Sequence, residues 1–366
     1  MAKLATAVAY CVLLAACAAN GGSTAHENPY VRRPAAPSWG LLPNGDRDKY
    51  HWPFASASLW NRAVGSGATY RPAGIVSTET VFAIDPAVLI MTPTAPLTSL
   101  YYSGAAWTGR DRCAAGSKVL AQRLPIPTTF VVPSSLDNNS TAILTADAMH
   151  FDQNQPFTRC RAGGKPTSLV DFGLDDIYAD GITGAHGGSG LSALGGVIRY
   201  GEFTSGSIHH PMQIELWAKH YYHCCAPIWP ATQVDGYAKS VYRGKRPYLA
   251  PGALLALLPS FDLASLKTRP GKILAKAFQD YGAYVVDDTF WNAWALTAEN
   301  GPNGNTAKEF RSLYGYDLNQ TRSLRSPFYQ DLVTIFQSLY AITNNSATAI
   351  GGGGTPRIPA PAPIGN

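Results

Sequence analysis

Residues 180–220 read DGITGAHGGSGLSALGGVIRYGEFTSGSIHHPMQIELWAKH, and their patterning decides for a β-rich chain. Residues 212–219 alternate: Met212, Ile214, Leu216 and Ala218 fall on one face, and Gln213, Glu215, Trp217 and Lys219 on the other. Residues 197–203 are expected to form a preceding strand, with Ile198, Tyr200 and Glu202 on one side and Val197, Arg199 and Phe203 on the other. The turn Thr204-Ser205-Gly206-Ser207 would join the two as a hairpin. The glycine-dense loop before them predicts positive φ angles or close approach of another group at several positions.

Outward from this block, β-like runs occur at residues 80–84, 88–91, 99–102, 130–133 and 141–144, separated by Pro, Gly, Asn and Asp at sandwich or barrel spacing. Two helices are readable. One begins near Pro270, carries Ile273, Leu274, Ala277, Phe278 and Tyr281 on one face and stops at Gly282. The other follows Ser326-Pro327 with Phe328, Leu332, Ile335, Phe336 and Leu339. Between them Ala283-Tyr284-Val285-Val286-Asp287-Asp288 reads as a strand ending in two carboxylates. The expected fold is mainly β, a jelly-roll-like β-sandwich with two flanking helices.

The first twenty residues, MAKLATAVAYCVLLAACAAN, have the layout of a cleaved secretory signal. Leu14-Ala15-Ala16-Cys17 within them also reads as a lipobox, which would anchor the chain through Cys17. Residues 21–48 read as an extended leader, 49–350 as a single sandwich domain and 351–366 as a flexible Gly/Pro-rich tail. No later stretch suits a membrane span. Charged residues make up 14% of the chain, against roughly 25% in an average globular protein. The net charge of +5 is not gathered into a basic stripe, which speaks against a nucleic-acid partner. Beyond the signal lie Cys113, Cys160, Cys224 and Cys225. A Cys113–Cys160 disulfide is the favoured pairing, leaving the adjacent cysteines vicinal or free. Zinc is the rival reading at HYYHCC, but that spacing lacks separated ligand pairs, so neither a metal nor a cofactor is expected.

The candidate chemistry sits in the same block. If the hairpin is tight, His209 and His210 lie beside Glu202, an arrangement suited to acid–base work near neutral pH. Asp287 or Asp288 would supply a second carboxylate, the pair then cleaving a glycosidic bond. Asp180 and Asp235 are further carboxylates of interest. Gln213, Glu215 and Trp217 would floor a sugar-binding groove, unless they form a merely solvated sheet face. His186 and Ser189 belong to a turn like an oxyanion hole, although Leu191 breaks the G-x-S-x-G spacing. Tyr200 and His210, with Arg199, would serve β-elimination instead, but Arg199 alternates to the other face. The aromatics at Trp52, Phe54 and Trp60 are read as core anchors before sugar platforms.

The run DGITGAHGGSGLSALGGVIRYGEF, with IHHPMQIELWAKHYY, QDYGAYVVDD, the FVVPSS segment and Leu59-Trp60-Asn61, is similar to a family of secreted, largely uncharacterised bacterial proteins. The resemblance spans roughly residues 52–355. It implies a single-domain β-sandwich of the lectin or glucanase sort, outside the cell, with His186, Ser189, Glu202, His210, Asp287 and Asp288 as the most recognisable positions. The function expected is polysaccharide degradation by a glycoside hydrolase. A Tyr/His polysaccharide lyase and a non-catalytic carbohydrate or cell-wall binding protein are the alternatives.

Overall fold

The computed structural model describes residues 39–76 and 81–365. The expected signal segment, Cys17 and the leader up to residue 38 lie outside them. The fold is mainly β, built on one twelve-stranded sheet and one three-stranded sheet. Ten strands of the large sheet run in the order Tyr70–Pro72, Tyr340–Ile342, Leu254–Ala256, Ala283–Asp288, Met212–Leu216, Ala293–Gly301, Val81–Ile90, Thr141–Leu144, His150–Gln155 and Val170–Asp176. The pairing is mixed where a jelly roll would be antiparallel. Met212–Leu216 runs parallel to Ala283–Asp288, and Val81–Ile90 runs parallel to both Ala293–Gly301 and Thr141–Leu144.

Both faces of Met212–Leu216 are covered, and this overturns the alternative of a merely solvated face there. Met212, Ile214, Leu216 and Val285 pack with Leu274, Phe278, Leu332 and Phe336 of the helices Arg269–Asp280 and Pro327–Gln337. On the other face Tyr284 and Val286 join Trp60, Leu194 and Val197. Every residue of Met212–Leu216 is therefore buried, and the strand ends there instead of reaching Lys219. Each helix begins as its sequence predicts. Thr268 caps Gly271 N with Pro270 in the first turn, and Ser326 caps Tyr329 N ahead of Pro327. A further helix, Thr306–Tyr314, is capped by Asn305 and closed by Gly315, whose φ is +78°.

Residues 197–203 do not form the expected strand. After a single bridge from Ile198 to Ala298, the chain turns at Gly201 (φ +97°) into the short helix Glu202–Ser205. Two side chains fix the turn: Glu202 Oε2 accepts from Arg199 N at 2.8 Å, and the Arg199 guanidinium bonds Glu299 and the carbonyls of Tyr50 and His51. Residues 130–133 contribute only a bridge from Val132 to Arg159. The runs at 84 and 88 belong to one strand, Val81–Ile90.

Cys113 pairs with Cys160 across a Cα separation of 6.0 Å, and Cys224 with Cys225. The tail expected to be flexible is tied to the body. Gly65 N donates to Gly351 O, Ser66 N to Thr355 O and Gly67 N to Gly353 O. Arg47, fully buried, bonds Ala362 O together with the carbonyls of Trp52, Pro53 and Phe54.

Candidate functional site

A cavity of about 810 Å³ opens at the carboxyl ends of the parallel strands Met212–Leu216 and Ala283–Asp288. Register explains its floor. A bulge between Ile214 and Glu215 lets Glu215 pair with Asp287 and Leu216 with Asp288, so Glu215 and Asp287 stand side by side on adjacent strands. Asp85 comes from Val81–Ile90, one strand beyond Ala293–Gly301. The small Ala295, paired with Glu215, lines the cavity between them. Asp235 and Tyr237 come from the segment before the short helix Ala238–Val241, and Gly187 and Gly188 from the glycine loop.

The carboxyl groups crowd one another. Asp85 and Glu215 are hydrogen-bond partners, and each carries a buried oxygen, Oδ2 and Oε1, that no N–H or hydroxyl among the described residues reaches. Two acceptors meet there, so one carboxyl must hold a proton. Burial, followed by the neighbouring Asp85 and Asp287 charges, pushes Glu215 well above the usual carboxylate range. Asp85 is pushed up to about 6, chiefly by burial. Asp235 is pushed up to about 7 by burial and then by Asp287, although the Tyr242 hydroxyl donates to it at 2.6 Å. Asp288 is raised by burial despite accepting from Ala218 N and Phe290 N. Among the described residues no Lys or Arg lines the cavity; Arg112 is buried behind it, under the Trp107 ring and bonded to Ala106 O and Asp137 O.

Asp287 is held from more than one side. Its Oδ1 accepts from Asp288 N at 2.8 Å, and its Oδ2 faces His186 Nδ1 at 3.6 Å and Asn138 Nδ2 at 3.5 Å. His186 is fully buried, and Gln213 determines its tautomer. The Gln213 amide donates to Ser192 O and Gly195 O, so its Oε1 accepts from His186 Nε2 at 2.9 Å and from Thr297 Oγ1. Nδ1 is left aimed at Asp287 without another partner. The glycine loop makes this approach possible. A side chain on Gly188 would start 2.5 Å from Asp287 Oδ1 and 3.2 Å from Asp235 Oδ1. At Gly196, with φ +80°, one would start 2.5 Å from the Trp60 ring.

The walls are aromatic and open to solvent. Trp107, Phe172, Phe290 and Trp291 line the cavity at 42%, 39%, 71% and 47% exposure, an unusual set of large apolar groups to leave unburied together. Phe290 is held at φ +60°, an unfavourable setting for a bulky residue, while Asp288 Oδ1 caps its N–H.

Of the residues singled out from the sequence, Glu215, Asp287 and Asp288 line the cavity, as does Asp235; His186 stands behind Asp287, and Gln213 bonds the far side of His186. Ser189 is buried, its hydroxyl accepting from Leu191 N. Glu202 and His210 do come together, at 3.3 Å between Oε2 and Nε2, but both are buried and neither lines the cavity. Trp217 stacks on His220 outside it, and Tyr200 lies over Gly304. Trp60 is a core residue donating to Gly181 O. Asp85, Asn138, Tyr237 and the wall aromatics escaped the sequence reading. Of these, Phe290 and Trp291 had a visible signal, their place directly after Asp287-Asp288-Thr289. Comparison with protein-family models, curated proteins and solved structures finds no match to this chain.

Proposed function

We propose that the chain is a glycoside hydrolase of polysaccharides, with Asp235 as proton donor and Asp287 as the carboxylate facing the anomeric carbon. The observation that carries this is the meeting of those two carboxyls at Gly188, in a cavity walled by exposed aromatics. Both lie within 3.2 Å of the point where a Gly188 side chain would begin, a closeness that suits a retaining pair. Asp235 is the least buried of the raised carboxyls that line the cavity and keeps its proton up to about pH 7, as an acid catalyst must. Its proton passes to the glycosidic oxygen as the bond to the anomeric carbon breaks, and Asp287 takes that carbon as an ester. Water then displaces Asp287, giving its proton back to Asp235. The aromatic walls offer flat faces for pyranose rings. The signal-like N-terminus and the Cys113–Cys160 disulfide support export. A lyase is disfavoured because, among the described residues, no Lys or Arg lines the cavity to neutralise a uronate.

The test is release of reducing ends from neutral, amino-sugar and uronate polymers by wild type, Asp235→Asn and Asp287→Asn. Each variant should lose about 10²- to 10⁴-fold, and the wild-type rate should fall above about pH 7 as Asp235 ionises. Unsaturated products, or binding with no release from any polymer, would overturn the reading.

A further inference from the structure

His186 is fully buried, and both of its ring nitrogens face oxygens. Gln213 Oε1 stands 2.9 Å from Nε2, and Ser140 Oγ, at 3.3 Å, is a second acceptor on that side. The Gln213 amide cannot be turned round. Its nitrogen donates to Ser192 O and Gly195 O, and a flip would set its oxygen against both carbonyls while Thr297 Oγ1 lost its acceptor. Nε2 of the imidazole therefore carries a hydrogen. Nδ1 faces Asp287 Oδ2 at 3.6 Å and has no hydrogen-bond partner among the described residues. A neutral ring would spend its single N–H on Gln213 and turn the Nδ1 lone pair toward a carboxylate. A hydrogen between Nδ1 and Asp287 removes that conflict.

The surroundings of Asp287 place this hydrogen on the imidazole. Asp287 Oδ1 accepts from Asp288 N at 2.8 Å, and the Asn138 amide nitrogen stands 3.5 Å from Oδ2, so donors attend both oxygens, as suits an ionised carboxylate. The carboxyls around it ionise less readily. Asp85 on Val81–Ile90, Glu215 on Met212–Leu216, Asp288 and Asp235 are all raised, by burial first, with the Asp287 charge adding to each. Tyr237, raised as well, donates its hydroxyl to Asp288. Among the described residues no Lys or Arg lines the cavity, and Arg112 is engaged with Ala106 O and Asp137 O. The one side chain placed to balance Asp287 at ion-pair distance is His186.

Resting on the hydrolase reading, we propose that His186 is a positioning residue, an imidazolium protonated at both nitrogens that keeps Asp287 ionised for its attack on the anomeric carbon. It touches no substrate and keeps its proton throughout. The charge that Asp287 loses as the ester forms, and regains as water breaks it, is the one His186 faces.

The experiment reads the ring directly, by nitrogen-15 NMR of histidine-labelled protein without substrate at pH 7, where an ordinary histidine is mostly neutral. His186 should show two protonated nitrogens whose hydrogens exchange slowly with solvent, and Asp287→Asn should strip Nδ1 while leaving Nε2–H. The response to Asp287→Asn assigns the resonances. One bare nitrogen in the wild type would overturn the proposal. His186→Asn supplies the kinetic arm, because its amide can still donate toward Asp287 but carries no charge. Its loss of reducing-end release, relative to wild type, should be at least about tenfold greater at pH 5 than at pH 7, since Asp287 then takes up a proton more readily. An equal loss at both pH values would show that His186 supports only the shape of the site, and the positioning role would fall. Should His186→Asn fail to fold, the wild-type spectrum still decides. A doubly protonated His186 in a protein that cuts no polymer would sink the hydrolase reading and leave the ion pair standing.

Discussion

Gly188→Ala probes the candidate site without removing a reactive group. The added methyl would start 2.5 Å from Asp287 Oδ1, and 3.2 and 3.3 Å from the Asp235 oxygens, where ordinary contact needs about 3.4 Å. Asp287 must therefore retreat by just under about 1 Å. It cannot swing freely, because the Asp288 N–H holds the same oxygen at 2.8 Å and His186 stands 3.6 Å behind the other. Gly188 is not among the positive-φ glycines, so alanine fits the backbone and the strain falls on the carboxylate. A displacement of that size at a reacting group costs roughly 10²-fold, about 2.7 kcal/mol of transition-state stabilisation. The assay is steady-state hydrolysis of the best oligomer, read as kcat and KM separately, beside a thermal melt. The expected result is a fall in kcat with KM changed little and the melt within a few degrees of wild type. Full retention of kcat would refute the placement of Asp287 at the reacting centre.

Two further outcomes test the rest of the structure. Burial by itself lowers His210, but the Glu202 charge and hydrogen bond outweigh it and hold its pKa above the ordinary value. The pair's stabilisation is therefore complete below about pH 6.5 and is lost as pH rises through the raised value. Glu202→Gln should destabilise by about 3 kcal/mol at pH 6 and by less at pH 9 in urea titrations, leaving hydrolysis by the folded protein unchanged; equal loss at both pH values would refute the charge assignment. Replacing Cys113 and Cys160 by serine opens a loop with a sequence separation of 47 and should cost about 4 kcal/mol in denaturant unfolding. A loss below about 1 kcal/mol would show that the loop is already held by its other contacts.

The legible parts of the chain were those with local signals. Pro270 and Ser326-Pro327 announced two helices, 283–288 read as a strand carrying Asp287 and Asp288, and Cys113 found Cys160. Asp85 was hidden because Asp85-Pro86 reads as a break, whereas the chain runs through it as one strand. Partner register with Ala293–Gly301 continues past Pro86, and pairing with Thr141–Leu144 starts only at Val88. The alternation at Gln213 and Glu215 was real, but polar residues do not always mark a face open to water. Gln213 is spent on His186, Thr297 and two loop carbonyls, and Glu215 on a cavity. Residues 197–203 alternate as a strand would, yet Gly201 and the return of Glu202 onto Arg199 N bend them into a helix. Glu202 and His210 were correctly expected to meet; what no local pattern could tell was that other layers would cover them.

The hold of Arg47 on Ala362, 315 residues away, gives the folding of the chain an order in time. The carbonyls of Trp52, Pro53 and Phe54 gather around a guanidinium whose remaining carbonyl partner, Ala362, is made 315 residues later. Gly65, Ser66 and Gly67 likewise wait for residues 351–355. Residues 47–67 cannot complete their contacts until that later segment exists, so their emergence does not commit them to their final place. The seam closes only after residue 362 has been made, and such long-range closure makes for slow folding.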